Sequence, residues 1–434
     1  MKVSVIGAGL AGSECAYKLA QLGINVDLYE MKPQKRSPAH SQDTFAELVC
    51  SNSLKAARID SAAGLLKEEM RLLGSICIES ARLNAVAAGG ALAVDRNNFS
   101  DYITTKIKEN QNINIIEVEV KHINDGIVVI ATGPLTSQAL SSEIESFLGS
   151  NGLCFFDAAA PIVETASIDM QTAFLASRYA KGDDDYINCP MNKQEYEIFY
   201  NELVNAESVE LKEFEKNDFK VYEGCMPIEV MAKRGIDTIR FGPLKPVGLR
   251  DPRTDTRPWA VVQLRKENTE STMYNMVGFQ TNLKFAEQKR VFSLIPGLQN
   301  AQFVRYGVMH RNTFIDSPRL LDSTFCLKTN PNIYFAGQIT GVEGYMESAA
   351  SGIYVAINIA RKLASKPTIT LPVTTMIGAL AHYISDESVM NFQPMGSNMG
   401  ILPPLLNVER DKKVRYMNLA NRSIEEINKI IKTF

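Results

Sequence analysis

The sequence predicts an α/β fold organised around a parallel sheet, and three observations carry that prediction. The chain opens with a short apolar strand, Met1 to Ile6, running straight into Gly7-Ala8-Gly9-Leu10-Ala11-Gly12, a helical run and a second strand ending at Glu30. Ile127 to Ile130 is a buried-type strand that ends at Gly133. A late segment, PNIYFAG (331–337), repeats the pattern of an apolar strand ending in glycine.

The first of these is a dinucleotide fingerprint in its proper context. Gly7 permits the tight turn, Gly9 lets backbone approach a pyrophosphate, and Gly12 lets the helix pack on the strand. The helix N-terminus then presents unpaired N–H groups to the phosphates. Glu30, 18 residues beyond Gly12, is placed to accept from a ribose hydroxyl. Strands of open α/β sheets present their carboxyl ends to the ligand crevice, so Gly133, Gly337, Gln338 and Gly341 are expected at the same edge. The late glycine-ended strand, with no second fingerprint, favours FAD over a nicotinamide cofactor as the tightly held ligand. The expectation is therefore a Rossmann-type FAD-binding domain, glutathione-reductase-like, with an inserted α+β domain and a C-terminal helical segment.

Further elements follow from periodicity. Leu65, Leu66, Met70 and Leu73 give helical spacing over 62–73, and Asn97 to Glu109 reads as another helix. Gly89 to Asp95 reads as a turn into a strand, and Ile113 to Val120 alternates like one. Residues 31–60 read as a polar loop. Near 155 the chain becomes richer in charge and aromatics, and the pattern of a parallel strand returns only at 331–337. The expected division is 1–154 and 326–366 for the two parts of the FAD-binding domain, 155–325 for the insertion, and 367–434 for the C-terminal segment. That segment ends in a helix, Ser423 to Thr433, with Ile424, Ile427 and Ile431 on one face.

The 434 residues carry 45% hydrophobic and 22% charged side chains and a net charge of −3, which excludes a generally basic nucleic-acid coat but not a local basic face. No basic n-region precedes an apolar core, and no apolar run reaches the length of a membrane span. The seven cysteines, at 15, 50, 77, 154, 189, 225 and 326, include no CxxC pair, and the four histidines have no metal-ligand spacing. This pattern predicts reduced thiols, a cytoplasmic setting and no metal site.

Two cysteines have distinctive contexts. Cys225 sits in Gly-Cys-Met-Pro (224–227), a defined turn able to expose sulfur. Cys50 stands where a strand-like run gives way to Ser51-Asn52-Ser53, a sequence able to cap a helix and lower a thiol pKa. Between Lys233 and Arg265, eight basic residues face three aspartates, with Tyr222 and Trp259 within or beside the stretch. Such a strip can hold phosphates and stack a base. Its leading candidates are Lys233, Arg234, Arg250 and Arg253.

At a larger scale the chain resembles the folate- and FAD-dependent tRNA (uracil-5-)-methyltransferases, the TrmFO family. The likeness is carried by FAELVCSNSLK (45–55), GLLKEEMRLLG (64–74), AGGALAVDR (88–96), YEGCMPIEVMAKRG (222–235) and GPLKPVGL (242–249). It continues through MVGFQTNLKFAEQKRVFSLIPGL (276–298), RYGVMHRNTFIDSPRLL (305–321), FAGQITGVEGYMESAASG (335–352) and FQPMGSNMGILPPL (392–405). The chain departs from the family pattern at Asn282, Phe285-Ala286, Gly396-Ser397 and Met399.

The resemblance implies formation of 5-methyluridine at position 54 in the T-loop of tRNA. It implies 5,10-methylenetetrahydrofolate as carbon donor and FAD reduced by NADPH or NADH. It also implies that Cys225 and Cys50 are the catalytic pair, with Cys225 as nucleophile and Cys50 as general base, an order open to reversal. His310 and Tyr345 are expected at the folate, and Glu347 at flavin or pterin nitrogens or capping its own helix. The alternatives are the same chemistry on 23S ribosomal RNA, or an FAD oxidoreductase acting on a small molecule. A further alternative is a wobble-uridine flavoprotein, which would carry a large C-terminal helical domain beyond the 70 or so residues that follow Pro367 here.

Overall fold

The computed structural model describes residues 2–433 apart from 38, 150–152, 159, 181–182, 210–225, 268–270, 308, 390–391 and 407–408, and the side chains of 153–158, 180 and 309–313. Its main sheet has six strands in the order Cys326–Leu327, Asn330–Phe335, Ile127–Ile130, Lys2–Ile6, Asn25–Glu30 and Ile113–Glu117. The outermost pair, Cys326–Leu327 with Asn330–Phe335, is antiparallel; the other pairings are parallel. Val3, Val5, Val128, Val129 and Ile130 are fully buried, as expected of parallel strands covered on both faces.

The helix after the glycine turn, Leu10–Gln21, packs on the long helix Tyr345–Leu363. Gly352 permits the approach, since a Cβ there would stand 2.2 Å from the Ala11 carbonyl oxygen.

A second six-stranded sheet is antiparallel throughout, in the order Phe174–Leu175, Tyr186–Met191, Ala260–Lys266, Met273–Met276, Ile162–Glu164 and Phe303–Arg305. It has its own core, in which Phe199, Phe279 and Phe292 are fully buried. Leu153–Ala158 and Met309–Phe314 pair antiparallel, so the chain enters and leaves this sheet side by side.

Several elements differ from expectation. The loop-like stretch 31–60 contains a short strand, Ser53–Ala56, paired with Ala91–Val94. Helix Ile76–Leu83 was not expected; Ser75 caps it, and the buried carboxylate of Glu14 accepts from Cys77 N (2.8 Å), Ile76 N (3.3 Å) and Ser75 Oγ. The last helix runs Lys412–Ile431, starting earlier than 423 because Asp411 accepts from Lys413 N (2.8 Å) and Val414 N (2.9 Å).

A second buried carboxylate joins three helices. Glu69, on Ala62–Leu72, accepts from Met376 N (2.6 Å) and Ile377 N (2.9 Å) at the start of Met376–Ser385, and from Ser423 Oγ on the last helix. Burial pushes its carboxyl up to about 7, against the pull of those bonds. A raised folded pKa favours the protonated, folded form, so the stabilisation is complete below the unfolded value and is lost as pH rises through about 7. Glu69→Gln removes this titration. The stability of wild type minus variant, from urea melts, should fall between about pH 5 and 7.5 and level off above.

Candidate active site

The glycine loop has the geometry its residues require. Gly7 has φ +97, and a Cβ on Gly12 would lie 1.7 Å from the Gly7 carbonyl oxygen. At Gly9, by contrast, a Cβ meets nothing within 4 Å. The loop borders a groove lined by Gly7 to Ala11, Glu30, Gly133, Gly337 and Gln338. The Glu30 carboxylate anchors the loop, accepting from Ala8 N (2.8 Å) and Lys32 N (3.0 Å). Gly337 donates its N–H to Ser351 Oγ (2.7 Å), and Gln338 Nε2 donates to Glu343 Oε2 (2.6 Å). An open helix N-terminus, glycines admitting close approach and a carboxylate at the second strand's end together fit a dinucleotide such as FAD.

Two residues expected at the cofactor have close partners within the protein. Gly341 (φ +83) faces Phe392, whose ring a Cβ would meet at 2.4 Å. Glu347 is a buried carboxylate whose Oε1 accepts from Lys55 Nζ (2.9 Å), Ser397 N (3.0 Å) and Ser397 Oγ (2.7 Å). Burial pushes Glu347 up, but Lys55 and Ser397 outweigh it and hold the carboxyl below its ordinary range. It ties three chain segments together and does not border the groove. Of the departures from the family pattern, Ser397 bonds Glu347 and Met399 is buried.

Tyr345 does line the groove, and its hydroxyl reaches the Cys50 segment. Tyr345 Oη accepts from Cys50 N (2.7 Å) and Ser51 N (3.2 Å) and lies 2.9 Å from Cys50 Sγ. Burial, and then the neighbouring Cys50, push the phenol well above its usual value, so it stays protonated. Cys50 is partly exposed, whereas Cys15, Cys77, Cys189 and Cys326 are buried. Burial drives the Cys189 thiol up to about 12 and Cys326 up to about 11. Among the described cysteines, Cys50 alone thus combines access with polar neighbours.

Cys225 and Tyr222 lie outside the described residues, as do the side chains of His310 and Cys154. The backbone of His310 pairs with Asp157 in the two-stranded connection.

Several groups at the site were not anticipated. Lys32, His40, Glu47 and Glu119 line the groove. Lys32 is buried, donates to Thr44 O and stands 3.8 Å from Glu47. A lysine two residues past Glu30, at a strand's carboxyl end, was a readable signal. Arg96, Arg265, Glu267 and Arg305 gather near the Cys50 segment, and nothing in their spacing announces it.

The basic strip is divided between exposed and internally bonded side chains. Lys233 and Arg234 are exposed. Arg250 binds Asp255 O (2.7 Å), and Arg253 binds Asp251 (2.6 and 2.9 Å). Arg253 also borders a surface cavity with Arg240, Arg257, Lys193 and Trp259. The Arg240 guanidinium covers one face of the Trp259 ring at 3.8 Å, and Phe241, next to Arg240, is 69% exposed. No helix among the described residues is long and apolar enough to cross a membrane, and none of their His, Cys, Asp and Glu side chains form a metal-binding group.

Fold and groove together define a dinucleotide-binding protein of the GidA type. Residues 2–367 match the family model for Glucose inhibited division protein A. The crystal structure of Aquifex aeolicus GidA (form II) superimposes with a TM-score of 0.70 at 18% identity, covering 99% of this chain and 73% of that one. More specifically, the chain belongs to the TrmFO family. It is 60% identical over 433 residues to the Methylenetetrahydrofolate--tRNA-(uracil-5-)-methyltransferase TrmFO of Acetivibrio thermocellus, covering 100% of this chain and 99% of that relative. The Listeria welshimeri protein of the same name is 58% identical over 428 residues, covering 99% of this chain and 98% of its own.

Proposed function

We propose that this chain methylates C5 of uridine 54 in the T-loop of tRNA, with 5,10-methylenetetrahydrofolate as carbon donor and NADPH or NADH as reductant. The observation that carries the reading is the Cys50–Tyr345 contact at a dinucleotide groove, in a chain 60% identical to a TrmFO protein. The glycine loop, Glu30, Gly133, Gly337 and Gln338 hold the FAD. When bound there, FAD supplies the reducing equivalents that turn the transferred carbon into a methyl group.

The protein's own residues handle the uracil. C5 of uracil is a poor nucleophile. Addition of the Cys225 thiolate to C6 places carbanion character on C5, which is covalent catalysis by a strong, polarisable nucleophile. Cys50 removes the C5 proton after the carbon has been transferred. Its loop is held by Tyr345, whose oxygen fixes the backbone of residues 50 and 51. His310 and Tyr345 flank the folate, and Lys233, Arg234, Arg250 and Arg253 carry RNA phosphates. In this reading the FAD-binding domain comprises 1–154 and 326–366, with the insertion at 155–325 and the C-terminal segment at 367–434. The setting is cytoplasmic.

The test is mass mapping of 5-methyluridine in unmodified tRNA after incubation with enzyme, folate donor and reductant, with 23S ribosomal RNA treated in parallel. Product at position 54 of tRNA is expected. Product only in ribosomal RNA would keep the chemistry and change the substrate.

A further inference from the structure

Charged side chains from three separate segments converge behind the Cys50 loop. Arg265, in strand Ala260–Lys266, donates Nε to Asn52 Oδ1 (3.0 Å) and Nη2 to Ser51 Oγ (2.7 Å). Asn52 returns its Nδ2 to the carbonyls of Lys266 (2.8 Å) and Val94 (3.0 Å), so the second sheet grips the residues that follow Cys50. Arg96, which opens helix Arg96–Lys108, pairs with the buried Glu267. Arg305 ends strand Phe303–Arg305, and its Nε and Nη2 are buried with no hydrogen-bond partner among the described residues.

Three guanidiniums thus face one carboxylate in a place largely closed to water, where an unbalanced charge is expensive. Arg265 is hydrogen-bonded to the two residues that follow Cys50, and Arg305 lies within electrostatic reach of Cys50, Tyr345, Arg96 and Glu267. Burial brings Arg305 down to about 10, which leaves it protonated at neutral pH.

Tyr345 completes the arrangement from helix Tyr345–Leu363. Its oxygen already accepts two backbone N–H groups, so its lone pairs are engaged and its one proton is left to donate. Cys50 Sγ, at 2.9 Å, is there to accept it. A sulfur that accepts from a phenol and faces surplus guanidinium charge matches the anionic form of cysteine.

We propose that Cys50 rests as a thiolate, the counter-charge of Arg265 and Arg305, with Tyr345 donating the hydrogen bond that orients it. This rests on the reading of Cys50 as the base and deepens it. The thiolate takes the C5 proton and becomes a thiol. The C5–H electron pair forms a double bond to the transferred carbon, the bond between that carbon and its donor nitrogen breaks, and Cys225 stays bonded to C6 until the carbon has been reduced and the C5=C6 bond re-forms. No oxidant or reductant enters this step. The charged and titratable groups that face Cys50 and its guanidinium neighbours include Tyr345, Arg96, Arg265, Glu267, Arg305 and Tyr186.

The test is the rate of Cys50 alkylation by iodoacetamide in FAD-loaded enzyme from pH 5 to 10, read by peptide mass spectrometry. Wild type should reach half-maximal reactivity below about pH 7.5, against about 8.5 for an ordinary thiol. Arg305→Met should move that midpoint up by about one unit or more, and Arg305→Lys should restore most of the shift. A wild-type midpoint near 8.5, or a low midpoint indifferent to Arg305→Met, overturns the proposal. Should Arg305→Met fail to fold, thiolate absorbance of wild type minus Cys50→Ala across the same pH range decides the point without it. Full methyl transfer by Cys50→Ala would instead overturn the base assignment and leave the titration to stand or fall alone.

Discussion

Cys50→Ala is expected to slow methyl transfer about 10²–10⁴-fold, the usual worth of a positioned general base, while leaving the covalent adduct with 5-fluorouridine RNA intact. Cys225→Ala is expected to abolish both. The two readouts separate because fluorine at C5 cannot be abstracted as a proton, so the adduct needs the nucleophile and not the base. Cys50 sits with its backbone N–H and its sulfur both on Tyr345 Oη, so alanine keeps the loop's backbone bonds and removes only the sulfur. Gel-shift analysis of the adduct, beside turnover, decides the order. An adduct that survives Cys225→Ala would reverse the two roles.

Gly9→Ala and Gly12→Ala are expected to fail in different ways. A Cβ on Gly12 collides with the Gly7 carbonyl oxygen at 1.7 Å, and that obstacle is backbone which cannot swing aside. The variant should lose about 1–3 kcal/mol of stability, the cost of overpacking, and its FAD as well. At Gly9 the protein itself leaves room, and φ is −70, which alanine adopts freely. Gly9→Ala should therefore melt within about 1 kcal/mol of the wild-type apoprotein. Its FAD affinity should nonetheless fall by about tenfold or more, because the pyrophosphate needs that space. Flavin absorbance per protein and apoprotein melting separate the cases. Normal FAD binding by Gly9→Ala would mean that the cofactor does not cross the loop there.

What could be read in the sequence is what local covalent geometry dictates. The turn at Gly7, the close packing at Gly12 and the two glycine-ended strands each impose a requirement within a few residues, and each is found in place. Helix Ile76–Leu83 is not legible in the sequence because it starts directly after the Gly74 turn, and a partner of its first turn, Glu14, lies some sixty residues earlier. The final helix begins in the polar run Lys412-Lys413-Val414-Arg415, where no apolar stripe marks it; only Asp411 does.

The candidate site divides the same way. Cys50 and Tyr345 are legible through motif likeness, and the fold brings them into contact across 295 positions. Arg265 and Arg305 are not legible in this role, because each sits in an antiparallel strand whose alternation reads as ordinary and nothing local links them to residue 50. Gly341 and Glu347 were expected at the cofactor from their position after the late strand. The chain uses them to seat Phe392 and to bind Lys55 and Ser397.

The central claim is tested most directly by isotope transfer. Purified enzyme with FAD, NADPH or NADH, and 5,10-methylenetetrahydrofolate labelled in its methylene carbon should place label in unmodified tRNA. A tRNA with cytidine at position 54 should take up none. Label absent from both transcripts, with FAD bound, would contradict the account and point to an oxidoreductase of small molecules.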